Sequence, residues 1–325
     1  MTPPPVLLKL AITLAPALAT WLLLQGLIPL LRQRLLDTPN ARSSHRVPTP
    51  RGGGLAFVLV GCPAVPLAAV VLGQGPLPAS AWLPLVCGPL ALVGLLDDRL
   101  DLPAGLRYGV QVLTAVALLA LAALPLPAWG LPVVLVAITA VINFVNFMDG
   151  LDGLVAGCAA VLIAAAALLL GAPWLGALVG TLLGFLLVNW SPARVFMGDV
   201  GSTFLGAVIA GLVLQLRDPA LALGLLLAGL PLLGDALLCV LRRWRAGQRV
   251  FQAHRLHLFQ RLHQAGWSHR RVALLYIGST GALALALLAG GLALVVPLAL
   301  VVLLVGVGLD HRVAVPFAAA SPGQP

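Results

Sequence analysis

Residues 131–171 read LPVVLVAITAVINFVNFMDGLDGLVAGCAAVLIAAAALLLG, and this stretch decides the fold class. It contains two apolar segments, 131–148 and 152–171. Each is near the length of about 20 residues that an α-helix needs to cross a bilayer. Asn and Asp side chains, three residues apart, extend across the junction of the two segments beside two glycines. Because unsatisfied polar groups are costly in lipid, we predict two membrane helices that meet at a membrane surface.

Long apolar segments alternate with short polar junctions along the whole chain of 325 residues. Apolar residues make up 61% of it and charged residues 9%, against roughly 25% charged residues in soluble domains. We therefore predict an all-α polytopic membrane helical bundle that forms a single domain over residues 1–325. Eleven segments are predicted to span the membrane, or ten if a short one does not: 6–31, 53–74, 79–96, 107–125, 131–148, 152–171, 174–190, 201–216, 219–241, 272–290 and 292–309.

Basic residues predict the orientation of the bundle, because short loops rich in Arg and Lys stay on the cytoplasmic side. Placing the loop after the first span in the cytoplasm puts 17 of the 19 bases there, leaving Lys9 and Arg217 outside. The N-terminus is then outside and the C-terminus cytoplasmic, and residues 242–271 form the largest cytoplasmic loop. The net charge of +9 is thus explained by membrane orientation rather than by nucleic-acid binding.

Five polar patches interrupt the apolar sequence, and under this orientation all of them face the cytoplasm. The first, residues 40–54, combines Arg46 and Arg51 with a Gly-Gly-Gly run. Arg binds phosphate through two nitrogens, and glycine lets a backbone approach a ligand. The alternative interpretation is an ordinary basic loop.

The second patch is the pair Asp97-Asp98 at the predicted end of a helix. Adjacent carboxylates suit a cation or a proton transfer. The alternative is a solvated helix end. The helix dipole disfavours Asp at a C-terminus, which favours a functional interpretation.

The third and fourth patches are the richest in polar side chains. The third carries four of them at three-residue spacing: Asn143, Asn146, Asp149 and Asp152. The fourth, residues 189–202, includes Asn189, Phe196 and Asp199 and ends at the start of the next span. A helix N-terminus favours anions and hydrogen-bond acceptors, so Asp199 is either a functional carboxylate or a simple N-cap.

The fifth patch reads His254-Arg255-Leu-His257-Leu-Phe-Gln-Arg261. The spacing of His254, His257 and Arg261 predicts that they share one helical face. Anion binding is the favoured use, because neither a His-Glu-x-x-His motif nor a cysteine cluster supports zinc. Asp235, inside a predicted span, is expected to face a polar cleft. The four cysteines (Cys62, Cys87, Cys158 and Cys239) lie in apolar stretches and are predicted to be buried hydrophobic residues rather than metal ligands.

In this order, the patches resemble the polyprenyl-phosphate N-acetylhexosamine-1-phosphate transferases over roughly residues 40–262. The resemblance is carried by Asp97-Asp98, by the Asn-x-x-Asn-x-x-Asp-Gly-Leu-Asp-Gly run and by Pro-Ala-x-x-Phe-Met-Gly-Asp-x-Gly-Ser. It implies transfer of a sugar 1-phosphate from a UDP-N-acetylhexosamine to undecaprenyl phosphate, with release of UMP. It also implies Mg²⁺ or Mn²⁺, and a location in the bacterial inner membrane with the active site facing the cytoplasm.

The resemblance also implies residue roles. Asp199 would be the principal metal ligand, with Asn146 as a second. The remaining expected catalytic residues are Asp97, which deprotonates or positions the lipid phosphate, Asp98, Asp149, His254 and His257. The expected substrate-binding residues are Asn143, Asp152, Asn189, Phe196, Arg255, Arg46, Arg51 and Asp235. Within these, Asn189, Phe196 and Asp152 would hold the uridine, and the last loop would contact the diphosphate and the sugar.

The last-loop motif departs from the three consecutive histidines of the peptidoglycan translocases, since it reads His-Arg-Leu-His. We therefore expect an enzyme that starts a surface polysaccharide of the O-antigen type. A phospho-MurNAc-pentapeptide transferase is the alternative within the family, and a membrane transporter is the alternative from another class. Transporters place broken helices and ionisable groups near the midplane, whereas the acids here lie at helix ends. A homodimer is left open.

Overall fold

The computed structural model describes residues 6–39, 47–248 and 254–320, and it confirms an all-α chain. One small antiparallel ribbon accompanies the helices, formed by β1 (Leu36–Asp37) and β2 (Thr49–Pro50). The helices are α1 (Val6–Arg34), α2 (Gly54–Val71), α3 (Ala79–Leu100), α4 (Ala104–Ala122), α5 (Gly130–Phe147), α6 (Leu154–Leu169), α7 (Gly176–Asn189), α8 (Asp199–Gln215), α9 (Pro219–Ala228), α10 (Leu230–Arg245), α11 (Leu258–Gln264), α12 (His269–Arg312) and α13 (Phe317–Ala320).

Length and hydropathy identify the membrane helices. Among the described residues, six helices are long and apolar enough to cross a membrane, or seven if the bent pair α9 and α10 is one span. Three shorter apolar helices accompany them. A polytopic membrane bundle is therefore confirmed, whereas the count of eleven spans stays a prediction.

Two predicted spans adjoin or contain a break in the helix. The split at Gly290-Gly291 is confirmed, because both residues have non-helical backbone angles inside α12. The predicted span 219–241 consists of two helices, α9 and α10, which meet at an angle of 75° and are together long and apolar enough to cross a membrane. Pro231 lies at the start of α10 and has no backbone N–H to continue the helix before it.

Helix α8 forms the centre of the bundle. Almost every residue from Val200 to Leu214 is buried, and α8 packs against α3 and α5. Helix α1 packs closely against the glycines of α7: a Cβ on Gly180 would lie 1.9 Å from Thr13 O. Small residues at such crossings let membrane helices approach closely. The central position of α8 fixes where its N-terminal residue, Asp199, lies.

Candidate active site

The C-terminal end of α3 meets the N-terminal end of α8. Asp98 Oδ1 accepts a hydrogen bond from the backbone N–H of Asp199 (3.3 Å), and Oδ2 accepts one from that of Val200 (3.5 Å). The helices approach closely because α3 carries a glycine there: a Cβ on Gly94 would lie 2.4 Å from Asp199 O. Asp98 therefore binds the positive end of α8 and brings its carboxylate beside Asp199.

Asp149 adds a third carboxylate from the junction between α5 and α6. Burial, together with the charges of Asp199 and Asp98, raises the pKa of Asp149 to about 8. Within the described ranges, none of these three carboxylates forms an ion pair with a base. Since buried charges in proteins are paired or coordinate metals, the cluster fits a divalent cation.

Asn146 reaches the same place from the last turn of α5. Its side-chain carbonyl accepts a hydrogen bond from the hydroxyl of Ser202, which lies one turn after Asp199 on α8. Carboxylate and amide oxygens are the ligands that Mg²⁺ takes in proteins. Asp199 and Asn146, with Asp98 and Asp149 adjacent, are thus the residues that would hold Mg²⁺ or Mn²⁺. Their individual roles stay predictions.

Asp97 has different surroundings from Asp98. Its carboxylate accepts a hydrogen bond from the backbone N–H of Leu102 (2.7 Å) and forms an ion pair with Arg107 (2.7 Å). The Asp97 side chain is 7% exposed, whereas that of Arg107 is 40% exposed. Asp97, the predicted general base, is therefore held in place by two donors, and the guanidinium of Arg107 is the more exposed member of the ion pair. Arg107 was not among the predicted site residues.

Asn189 and Asp152 hold the loop between α7 and α8. Asn189 accepts from the Gly153 N–H (3.0 Å) and donates to the carbonyl of Val195 (2.9 Å). Asp152 accepts from the Ala193 N–H (3.2 Å). Both side chains are buried, so these bonds tie the loop to the start of α6. Contact with uridine stays a prediction for both.

His269, at the start of α12, is a residue that sequence reasoning missed. Its Nδ1 lies 3.1 Å from Asp152 Oδ2. Although burial opposes ionisation, the hydrogen bond and charge of His269 hold the pKa of Asp152 below its usual range. The sequence did contain a signal for it. Ser is a preferred helix N-cap, so Ser268 places His269 at the start of α12.

Asn143 lies about one turn further into α5 than Asn146. Its amide donates to Gln111 Oε1 (2.7 Å) and to Thr139 O (2.7 Å), and its carbonyl accepts from Gln111 Nε2 (3.2 Å). The amide thus has partners inside the bundle, which satisfies a group that would otherwise be costly in lipid. The structure gives Asn143 a packing role between α4 and α5, and its predicted contact with substrate stays untested.

The first patch contacts the fourth through backbone hydrogen bonds. Phe196 donates its N–H to Pro50 O (2.8 Å) and accepts at its carbonyl from Gly53 N (2.9 Å). Arg51 forms an ion pair with Asp37 at 2.8 Å. Its charge also acts on Asp98, so it lies near the carboxylate cluster. Arg46, also predicted to bind substrate, lies outside the described residues.

The last loop is held by Asp235 of α10. The Asp235 carboxylate accepts from the backbone N–H groups of Leu258 (2.8 Å) and Phe259 (3.1 Å), and from the hydroxyl of Tyr276 (2.7 Å). The prediction that Asp235 faces a polar cleft is refined: it caps the start of α11. These bonds give Asp235 a role in positioning the loop, and its predicted contact with substrate stays a prediction.

The predicted helical face of His254, His257 and Arg261 is wrong. Helix α11 begins only at Leu258, and His257 has an extended backbone. The cap supplied by Asp235 explains this boundary. The loop still reaches the third patch, since a Cβ on Gly150 would lie 3.2 Å from the Phe259 ring.

Arg261 holds the loop from the other side and was not predicted to do so. It is 2% exposed and donates to Leu256 O (3.1 Å) and Val315 O (2.9 Å). It also pairs with Asp310, which pairs in turn with Arg242. The end of α12 is thereby fastened to α10 and to the residues that precede α11. Arg255, whose carbonyl accepts from Gln264 Nε2 (3.0 Å), lies in the same loop.

Comparison with known proteins gives a consistent result. Residues 81–217, which include the carboxylate cluster, match the model of glycosyl transferase family 4. A phospho-N-acetylmuramoyl-pentapeptide-transferase of Synechococcus sp. (strain JA-3-3Ab) is 32% identical, over 79% of this chain and 85% of the relative.

Two relatives are named for N-acetylglucosamine. An undecaprenyl-phosphate alpha-N-acetylglucosaminyl 1-phosphate transferase of Yersinia pestis is 30% identical, over 74% of this chain and 73% of the relative. A decaprenyl-phosphate N-acetylglucosaminephosphotransferase of Mycobacterium leprae (strain TN) is 32% identical, over 77% of this chain and 76% of the relative. With the sequence motifs and the carboxylate cluster, these matches show that the chain belongs to glycosyl transferase family 4, the polyprenyl-phosphate sugar-1-phosphate transferases.

Proposed function

We propose that this protein transfers an N-acetylhexosamine 1-phosphate from a UDP-sugar to undecaprenyl phosphate and releases UMP. The reaction takes place at the cytoplasmic face of the bacterial inner membrane and starts a surface polysaccharide. Membership of the family supports the reaction type. The two N-acetylglucosamine-named relatives support an N-acetylhexosamine donor.

The carboxylate cluster is the observation that carries this proposal. Asp98, Asp149 and Asp199 come from α3, the α5–α6 junction and α8, and they act on one another's charges. The donor diphosphate and the acceptor phosphate are both anionic and repel each other. When bound at Asp199 and Asn146, Mg²⁺ would offset that repulsion and stabilise negative charge on the transferred phosphoryl group. Such a cluster of buried carboxylates would be costly in a chain without a cation to bind.

Asp97 and Arg107 are proposed to receive the acceptor phosphate. Arg107 is the more exposed partner and can donate two parallel hydrogen bonds to phosphate. Asp97 then lies beside the acceptor oxygen, where it orients the nucleophile and takes its proton if one is present. Asp98 keeps its bonds to the start of α8 and so holds Asp199 in place.

The uridine is proposed to lie against the α7–α8 loop. Backbone bonds on both sides of Phe196 and the bonds of Asn189 and Asp152 fix this loop. A rigid loop presents an aromatic ring for base stacking at little entropic cost. The diphosphate and sugar would then extend towards Arg255 in the last loop.

The test uses purified protein with undecaprenyl phosphate, Mg²⁺ and a panel of UDP-sugars, read as UMP release. The panel contains UDP-GlcNAc, UDP-linked deoxy amino sugars and UDP-MurNAc-pentapeptide. We expect turnover with an N-acetylhexosamine donor and its loss in Asp199→Asn. Asp218→Asn is the control, because Asp218 caps α9 beyond the end of α8 opposite to Asp199, and Asn preserves that cap.

Each outcome separates the proposal from its rivals. Turnover only with UDP-MurNAc-pentapeptide would assign the protein to peptidoglycan synthesis and overturn the donor proposal. No UMP with any donor, together with uptake of a solute into proteoliposomes, would favour a transporter. Wild-type turnover in Asp199→Asn would remove Asp199 from the metal site.

A further inference from the structure

Cys239, His254 and His257 form a second cluster, which shares no residue with the carboxylate cluster of Asp98, Asp149 and Asp199. One ligand atom from each, the Cys239 sulfur and a ring nitrogen of each histidine, lies within 4.8 Å of the other two. Cys239 and His257 are 3% and 2% exposed. The rings of His254 and His257 lie 4.9 Å apart between centroids. The cluster joins α10 to the last loop.

His257 has an unsatisfied ring nitrogen. Its Nδ1 has no hydrogen-bond partner among the described residues and lies 3.8 Å from Asp235 Oδ1. A buried nitrogen without a partner is unfavourable. If Nε2 bound a metal ion, Nδ1 would carry the ring proton and face Asp235. Carboxylates commonly orient metal-ligating histidines in this way.

His254 is partly buried, and its Nδ1 accepts a long hydrogen bond from the Leu256 N–H (3.3 Å). Binding through Nε2 would shift the ring proton to Nδ1 and give up that bond. The charged side chains that act on His254 are Arg243 and Asp235, which are opposite in sign. Arg242 and Arg261 also act on Cys239, and both pair with Asp310. The Cys239 thiolate and Asp235 would supply the negative charge that offsets a divalent cation.

We propose that Cys239, His254 and His257 bind Zn²⁺ or a similar thiophilic divalent ion. A thiolate with two imidazoles suits zinc, whereas Mg²⁺ takes oxygen ligands. Ligand atoms around a tetrahedral zinc lie about 3.5 Å apart, so the three groups need to close by about 1 Å. Cys239 would bind as the thiolate and release its proton to solvent. Water or a phosphate oxygen would complete the coordination.

This site gives the last loop a second attachment to α10, beside the cap at Asp235. Sequence patterns do not predict this metal site. Cys239 lies inside an apolar helix, 15 residues before His254, and completes no recognised motif. His254 and His257 would then act through the metal rather than contact the diphosphate directly. The proposal does not depend on which sugar is transferred, or on the Mg²⁺ site.

The test is metal binding by the purified protein after tag removal. We expect about one zinc ion per chain by mass spectrometry. Substitution with Co²⁺ should give a near-ultraviolet thiolate-to-cobalt absorption band. Cys239→Ser should lose that band and the bound metal. Cys158→Ser is the matched control, since Cys158 is a buried cysteine on α6 and should retain both.

Absence of zinc and of the cobalt band in folded wild-type protein would overturn the proposal without any variant. A band that survives Cys239→Ser would also overturn it. If Cys239→Ser does not fold, removal of the wild-type band by a chelator and its return with Co²⁺ is the supporting result. Asp199→Asn should retain the band while losing UMP release, which separates this site from the proposed Mg²⁺ site.

Discussion

At the level of single residues, adjacent aspartates have separate tasks. Asp97 is anchored by Arg107 and by the Leu102 N–H, whereas Asp98 binds the start of α8. We expect Asp97→Asn to reduce UMP release by about 100-fold or more, the range for loss of a positioned general base. Turnover with saturating substrates is the measurement.

The control for this substitution is Asp101→Asn. Asp101 is exposed at the C-cap of α3 with a positive φ of 53°. Asn accepts that backbone conformation, so Asp101→Asn should leave turnover unchanged. Equal losses in both variants would indicate a general charge effect, and unchanged turnover in Asp97→Asn would remove Asp97 from the mechanism.

Asp235 positions the last loop, because its carboxylate accepts hydrogen bonds from the first two residues of α11 and from Tyr276. Replacing it by Ala would leave two amides of α11 and the Tyr276 hydroxyl without their acceptor. We expect Asp235→Ala to cost about 1–3 kcal/mol of stability, seen as a lower melting temperature in detergent. Turnover should fall as the loop loses its position.

Tyr276→Phe tests the same network more gently. It removes the hydroxyl donor but leaves the Asp235 bonds to Leu258 and Phe259. Its cost should be about 1 kcal/mol, clearly less than that of Asp235→Ala. If the two variants lost equal stability, the cap on α11 would not be the source of the effect.

At the level of elements, the site depends on how closely α3 approaches α8. A Cβ on Gly94 would lie 2.4 Å from Asp199 O, a distance that backbone atoms cannot tolerate. We expect Gly94→Ala to push the helices apart, weaken the bonds from Asp98 to α8 and abolish most UMP release. Gly88→Ala is the matched control on the same helix, since nothing lies within 4 Å of its Cβ position.

Loss of activity in Gly94→Ala through separation of α3 and α8 can be distinguished from loss through unfolding. Overpacking typically costs about 1–3 kcal/mol, which a bundle of this size can absorb. Both glycine variants should therefore insert and purify as monodisperse protein. Full activity in Gly94→Ala would show that the Asp98–Asp199 contact is not required.

The elements show what sequence patterns could and could not predict. Hydropathy predicted where the helices lie and which junctions are polar, because the cost of burying polar groups in lipid is large. It did not predict the 75° bend between α9 and α10 or the start of α11 at Leu258. Both depend on particular tertiary contacts or on a proline, and apolar length alone does not encode them.

For the site too, sequence patterns predicted which residues take part but not how they pair. Patterned Asp and Asn residues identified the members of the carboxylate cluster, since each patch lies at a helix end. The pairings of Asn143 with Gln111 and of Asp97 with Arg107 were not predicted. Those contacts join residues on different helices, and their choice depends on helix rotation, which a single sequence leaves undetermined.

At the level of the whole molecule, the carboxylate cluster and the basic loops should lie on one side of the membrane. The structure brings the first patch to the fourth and the third to the fifth. Their location on the cytoplasmic side stays a prediction. Cysteine labelling in intact cells tests the orientation directly. Ala128, between α4 and α5, and Ala246, after α10, are both exposed and are predicted to lie on opposite sides.

We expect Ala128→Cys to react with a membrane-impermeant thiol reagent in whole cells, and Ala246→Cys to react only after the membrane is opened. The orientation follows from the bases, because loops that carry most of the Arg residues stay inside. The wild-type chain is its own control, since three of its four free cysteines are buried and the fourth partly so. Labelling of Ala246→Cys in intact cells would place the basic loop outside. The site would then have no access to a cytoplasmic UDP-sugar, and the proposed reaction would fail with it.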